Sequence, residues 1–140
     1  MDLGRFTTDT KLEEDGVWID LDETSKIKIA RMGNKTYRKV FKKYATAHKI
    51  AIRNNTLPDE KQTEIMCRAL SEAVWLDSEG LTLRKVPFEH TVENAFDVLM
   101  DKTLKDFREF IVESASDMDN YRAQVEEEGL KNLESSSDGA

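Results

Sequence analysis

The chain has 140 residues, a net charge of −7, 39% hydrophobic and 35% charged residues, which fits one soluble domain with a modest core. No run of eighteen apolar residues occurs, and the start MDLGRFTTDTKLEEDG lacks a basic stretch followed by an apolar one, so neither a membrane span nor a signal peptide is expected. The lone cysteine, Cys67, falls on an apolar helical stripe, has no partner for an internal disulfide and points to a reducing compartment.

Residues 1–15 are polar and aperiodic and are expected to form a flexible, loosely held arm. Alternation follows, with Val17, Ile19 and Leu21 set against Trp18 and Asp20, then Ile27 and Ile29 against Lys26 and Lys28. A period of two marks half-buried strands, and the polar DETS between them makes the pair a β-hairpin. After Gly33-Asn34, the residues Tyr37, Val40, Phe41, Tyr44, Ala45, His48, Ala51 and Ile52 recur at helical spacing and predict a helix over 35–53. NNTLPDE closes that helix and opens a second over 59–76, with Pro58 at its start and Asp59 and Glu60 on the positive end of its dipole. Ile65, Met66, Ala69, Leu70, Ala73 and Val74 form its inner stripe, and Trp75 stands near its end.

LTLRKVPF reads as a short strand or an extended connection, with Pro87 arguing against a central strand position. Thr91 caps a third helix that ends near Asp101. From Thr103, the series Leu104, Phe107, Ile111, Ala115, Met118, Tyr121 or Arg122, and Val125 predicts one helix of roughly twenty residues. Serine and acid content then marks 129–140 as a disordered tail. The expected fold is mainly α within the α+β class: an N-terminal β-hairpin followed by about four helices packed as a single domain over 16–128.

Little in the chain suggests catalysis. It has no Gly-rich phosphate loop, no Cys or His cluster at metal spacing, and two histidines, His48 and His90, far apart in sequence. His48 lies at the edge of an apolar helical face and His90 in a polar loop, where ordinary packing or solvent suffices. SDMDN brings Asp117, Asp119 and Asn120 together without the glycine or closing glutamate of a calcium loop. Neither an enzyme, a metal site nor a cofactor is expected.

Charge placement is the strongest signal. From Thr24 to Pro58 there is no acid among ten bases, whereas from Asp101 onward eleven acids face five bases. A solvated face explains this most simply. Nucleic-acid binding through the helix 35–53 is the least favoured of three readings, because the negative net charge and the absence of a zinc-finger or RNP motif argue against it. The third is protein association, including self-association of one copy's basic face with the next copy's acidic face, a head-to-tail contact that closes into a ring or runs on as a spiral.

Several stretches, namely VWIDL, KIKIARMGNKTYRK, LPDE, AVWLDSEGL and LKDFREFIVESASDMDNYRAQVEEEGLKN, together resemble the tail assembly chaperones of long-tailed, non-contractile bacteriophages over about residues 16–132. The resemblance implies a small, mainly helical, non-enzymatic protein of the host cell cytoplasm, absent from the mature virion. Such a protein binds the tape measure protein, keeps it soluble and promotes assembly of the tail tube around it. The family also implies a longer product, made by ribosomal frameshifting, that meets the tail tube protein. Leu130-Lys131-Asn132 can be encoded by an A-rich heptamer suited to such a slip. Where the family pattern has an aromatic beside the Glu-Gly of the mid-chain loop, this chain has Ser78, with Trp75 displaced toward the second helix. Candidate partner-binding residues are Trp18, Arg38, Lys39, Lys42, Lys43, Lys49 and Trp75. A structural virion component is the remaining alternative.

Overall fold

Alternation in the first strands is realised as a hairpin. In the computed structural model, which describes residues 1–123, β1 (Val17–Asp20) pairs antiparallel with β2 (Lys26–Ile29), placing Val17 opposite Ile29 and Ile19 opposite Ile27. Ile27 and Ile29 are fully buried, each such burial contributing about 1.5–3 kcal/mol. The Asp22 carboxylate closes the turn, accepting from the backbone N–H of Ser25 at 2.7 Å and of Thr24 at 2.9 Å. Its bond from the Ser25 hydroxyl, with these backbone donors, holds its pKa below the usual carboxylate value.

The hairpin leans on a third strand that helical periodicity concealed. The second long helix, α4 (Asp59–Ala73), stops before Val74, and β3 (Trp75–Glu79) pairs antiparallel with β2, giving the sheet order β1-β2-β3. Register slips between Lys28 and Ile29, so that Asp77 faces Lys28 and Trp75 faces Ile29. Trp75 therefore belongs to the sheet rather than to the helix end. Beyond β3, Gly80 has φ +74°, and a Cβ there would lie 2.0 Å from the Thr24 carbonyl oxygen. Only glycine allows this approach.

α2 (Lys35–Ala45) and α3 (Lys49–Arg53) replace the single helix expected over 35–53, with a 3-10 turn at Thr46–His48 between them. The Thr46 hydroxyl donates to the Lys42 carbonyl at 2.7 Å, a back-bond that bends helices. Between Leu83 and Val86, Arg84 and Lys85 both have positive φ, the conformation of a tight hairpin turn, and join β4 (Thr82–Leu83) to β5 (Val86–Pro87). Pro87 sits in this separate two-stranded ribbon. α5 (Val92–Met100) starts as expected, the Thr91 hydroxyl accepting from the Asn94 N–H at 3.0 Å.

α6 (Lys105–Ser116) is shorter than the helix of roughly twenty residues that periodicity predicted. At its end Asp117 turns its carboxylate to the Asp119 N–H, and Asn120 donates to the Ser114 carbonyl, so a 3-10 turn over Met118–Tyr121 takes over. Val125 and the expected tail 129–140 lie outside the described residues. α4, α5, α6 and the sheet enclose one core built on Ile29, Leu70, Val74, Trp75, Leu99 and Ile111. Among the described residues the domain is mainly helical with a small antiparallel sheet, the α+β class.

Residues 1–15, read as a loose arm, are tied to the body. They form a 3-10 turn at Leu3–Phe6 and α1 (Thr10–Asp15), capped by Asp9. Asp9 N–H donates to the Tyr121 carbonyl, Arg31 N–H to the Glu13 carbonyl, and Thr8 bridges Arg122. Glu14 accepts from Lys35 N–H at 2.6 Å, placing an acid at the positive end of α2.

Asn34 joins these parts. Its side-chain oxygen accepts from Tyr37 N–H at 2.8 Å, while its amide donates to the carbonyls of Arg31 at 2.8 Å and Ala73 at 2.9 Å. Aspartate caps helices as well as asparagine but cannot donate. Asn34→Asp is therefore expected to destabilise by about 2–4 kcal/mol, at least as much as Asn34→Ala, because it sets a carboxylate against two carbonyls. Denaturant unfolding of the two variants checks this; an Asn34→Asp protein as stable as the parent would show that the Ala73 bond carries nothing.

Candidate partner-binding surface

The expected basic residues stand together on one limb of the molecule. Arg38, Lys39, Lys42 and Lys43 lie on α2 and Lys49 opens α3, all exposed, with Lys35 and Arg53 at the limb's two ends. None of these seven cations takes part in a salt bridge among the described residues, whereas Lys26, Arg31, Lys61 and Arg68 do. Lys42 and Lys43 fall in the last turn of α2, where the helix dipole favours positive charge. Lys43 also lies over the Tyr44 ring, 5.3 Å from its centroid.

The apolar face of this limb is only half covered. α2 and α3 contain no buried residue, and Phe41 remains 38% exposed, Ile52 44% and Ile50 72%. Between the limb and α4 runs an apolar groove of about 460 Å³, lined by Tyr37, Phe41, Ile52, Leu57, Ile65 and Met66, with polar Asn55, Gln62 and Thr63. Sequence reasoning missed this groove, because an apolar stripe at helical spacing looks the same whether its partner covers all of it or half. The one available signal was the size of the exposed-side residues flanking it.

The two tryptophans part company. Trp18 lies on the outer sheet face, 39% exposed, with Lys26 Nζ 4.6 Å from its ring, and Lys26 also reaches Glu79 at 3.5 Å. It is available to a partner. Trp75 is 1% exposed, stacked on Phe88 at 5.4 Å and met edge-on by Phe107 at 5.1 Å and His90 at 5.0 Å. It is a core residue, separated from the candidate surface because the bulged strand turns it inward.

Ser78 and His90 complete the Trp75 cluster. Trp75 Nε1–H donates to Ser78 Oγ at 2.9 Å, and Ser78 Oγ lies 2.8 Å from His90 Nδ1. With Ser78 accepting from Trp75, its own proton is free for Nδ1, a pattern that places the imidazole proton on Nε2. Burial lowers the His90 pKa, against an opposing pull from Asp77. His90, which the sequence left in a polar loop, thus has a structural post.

The remaining chemical candidates are occupied with structure. Cys67 is fully buried, with Sγ 3.6 Å from the Leu99 carbonyl and a thiol pushed up by burial. Asp117 and Asn120 shape the turn after α6. Among the described residues no group of three His, Cys, Asp or Glu side chains is placed to hold a metal ion, and no helix is long and apolar enough to cross a membrane.

A small α+β domain with an undercovered, cationic limb is the class this geometry defines. Residues 32–132 match the model of the YdaY prophage protein family, well over half of the chain, and the chain belongs to that family. It is a phage-derived protein. No curated protein sequence and no solved structure matches it.

Trp75→Ala is expected to cost about 3–5 kcal/mol, the usual loss for an emptied aromatic site, and Trp18→Ala less than about 1 kcal/mol. Chemical unfolding of both variants reads the contrast directly. The lowered pKa of His90 means that its neutral form is the one the fold favours, so its contribution is present above the unfolded value of about 6.5 and is lost as pH falls from there through the folded value. The melting temperature should fall on acidification from pH 7 to 5 more in the parent than in His90→Gln; equal slopes would remove His90 as the cause.

Proposed function

We propose that this phage-derived protein is a non-enzymatic tail assembly chaperone of long-tailed, non-contractile phages. In this reading it binds the tape measure protein in the host cell cytoplasm, keeps it soluble, promotes tail tube assembly around it and stays out of the finished virion. A long, aggregation-prone helical client needs a subunit with apolar surface for adhesion and charge for register. The observation that carries the reading is a limb that joins a half-covered apolar groove to an exposed face bearing Arg38, Lys39, Lys42, Lys43 and Lys49. Trp18 adds a second exposed anchor on the outer sheet face. Copies associate head to tail, as a ring or spiral, with the basic limb of one against an acidic surface of the next. A longer frameshifted product supplies the contact to the tail tube protein.

Nucleic-acid binding is the second reading, favoured by the same seven cations lacking ion-pair partners among the described residues. The two separate in one set of experiments. Co-expressed with the tape measure protein of a long-tailed, non-contractile phage, the parent is expected to keep that protein soluble and to co-purify with it. Lys39→Glu, Lys42→Glu and Lys43→Glu together should weaken this capture and shrink the oligomer at low salt. A tape measure protein that stays insoluble with the parent, together with a shift of labelled duplex that fades steeply as salt rises, would replace the chaperone reading with the nucleic-acid one. Recovery of the protein from purified virions would favour a structural component instead.

A further inference from the structure

The first strand has an open edge whose pattern is complementary to itself. β1 is the outer strand of the order β1-β2-β3, so one side of its backbone has no ladder partner among the described residues. Parity decides which residues those are. Leu21 N–H donates to the Ser25 carbonyl at 2.9 Å, and the register sets Ile19 opposite Ile27 and Val17 opposite Ile29, so the odd-numbered residues direct their backbone groups to β2. Trp18 and Asp20 therefore turn their N–H and C=O groups outward, where none meets a hydrogen-bond partner among the described residues.

We propose that two copies of the chain join along this edge, β1 against β1, antiparallel about a two-fold axis at Ile19, and extend the sheet from three strands to six. In that register Trp18 of each copy faces Asp20 of the other, and every outward N–H and C=O finds a partner. The side chains favour it as well. On the outer face Lys28 stands between Trp18 and Asp77, and Lys26 between Asp20 and Glu79. Joining the edges gives the row Asp77, Lys28, Trp18, then Asp20, Lys26 and Glu79 of the second copy, together with its two-fold equivalent. No like charges stand directly opposite in either row, the condition for favourable cross-strand pairs. On the inner face Ile19 meets Ile19 and Val17 meets Leu21, apolar against apolar. Val17 and Ile19 are only half-buried, although their hairpin partners Ile29 and Ile27 are fully buried.

Other registers fail on the same grounds. Centred on Trp18, the pairing sets Asp20 against Gly16, whose N–H already donates to the Leu12 carbonyl at 2.9 Å. Centred on Asp20, it opposes two carboxylates. A slip of one residue sets outward groups against residues already bonded to β2. β1 also lacks a proline, a bulge and an inward-pointing charge, the devices that keep sheet edges apart. Its four residues make the contact small, in the class of interfaces that form and break readily. The contact uses neither α2 nor the groove, and stands apart from the chaperone reading.

Amide hydrogen exchange of the full chain, from micromolar to millimolar concentration, tests this. The Trp18 and Asp20 amides should gain protection as concentration rises, in step with a dimer seen by sedimentation equilibrium. The Ile19 amide, bonded within the hairpin, should be protected throughout. The same behaviour is expected in Lys39→Glu, Lys42→Glu, Lys43→Glu, so that this contact and any contact of the limb are read separately. Asp20→Pro removes an outward donor without touching the hairpin ladder and should abolish the concentration dependence at Trp18. Should the proline variant not fold, Trp18→Glu faces Lys28 within the hairpin but sets a carboxylate against Asp20 of the second copy. It should move the onset of Asp20 protection to a several-fold higher concentration. Amides that exchange as freely at the highest concentration as at the lowest would overturn the proposal. So would protection independent of concentration, which names a segment of the same chain as the cover, or protection that appears only when another protein is added. Concentration-dependent protection unchanged in both variants would also overturn it, by placing the contact elsewhere.

Discussion

Asn34 is the joint on which the domain turns. One buried amide satisfies backbone groups from three parts of the chain: the first turn of α2, Arg31 two residues past the hairpin and the last carbonyl of α4. An N-cap is worth about 0.5–2 kcal/mol and an orphaned buried carbonyl costs about 1–3 kcal/mol, large amounts against a total stability of about 5–15 kcal/mol. The placement has a topological effect as well. With the Ala73 carbonyl taken, α4 ends, Val74 passes its own carbonyl to Ala30 N–H at 2.8 Å, and the chain is delivered into β3. Met32 N–H, two residues before Asn34, reaches the Ala115 carbonyl and brings α6 to the same point.

From that joint the molecule divides into a filled side and an open one. On the filled side Trp75, Phe88, Phe107 and His90 interlock, the indole N–H and the imidazole Nδ1 joined through Ser78 Oγ. On the open side α2 packs against α4, and neither α2 nor α3 buries a residue of its own completely. The limb therefore keeps apolar surface in water that the filled side does not. Its cations sharpen the point. Any protein that covered the limb would have to keep those charges in water or bring acids to meet them, because a buried unpaired cation is costly.

Local signals in the sequence were reliable and long-range ones were not visible. The hairpin, the Thr91 cap and the inward Cys67 each depend on neighbours within a few residues, and each could be read from alternation, cap chemistry or helical spacing. β3 could not, because Val74, Trp75 and Leu76 continue an apolar pattern that suits a helix, and only pairing with a strand far earlier in the chain decides otherwise. The same cause moved Trp75 from surface candidate to core. At α6 the Ser114-Ala115-Ser116-Asp117 stop was present but outweighed by the spacing of Met118 and Tyr121. The tether of the N-terminal arm is illegible in its polar composition, because Asp9 caps α1 locally but Glu14 accepts from Lys35 N–H at the start of α2 only once the chain has folded back. The cationic residues of the candidate surface were fully legible, since exposure of charge is the default; the groove beside them depends on how far α2 stands from α4.

The family match begins at Met32, just past the hairpin, yet the fold does not. Ile27 and Ile29 are fully buried in the same cluster as Leu70, Trp75 and Ile111, and β2 is the central strand that pairs with both β1 and β3. Without β2, β3 loses every ladder partner and Tyr121 loses its acceptor, the Ile29 carbonyl at 3.1 Å. The cooperative unit is therefore larger than the matched segment. The hairpin closes the core while the matched residues carry both the basic limb and the groove, so the candidate surface and a piece that stabilises it come from different parts of the chain. Variation in the hairpin can tune stability and display Trp18 without altering the α2 surface, as long as the inward alternation of Ile27 and Ile29 is kept.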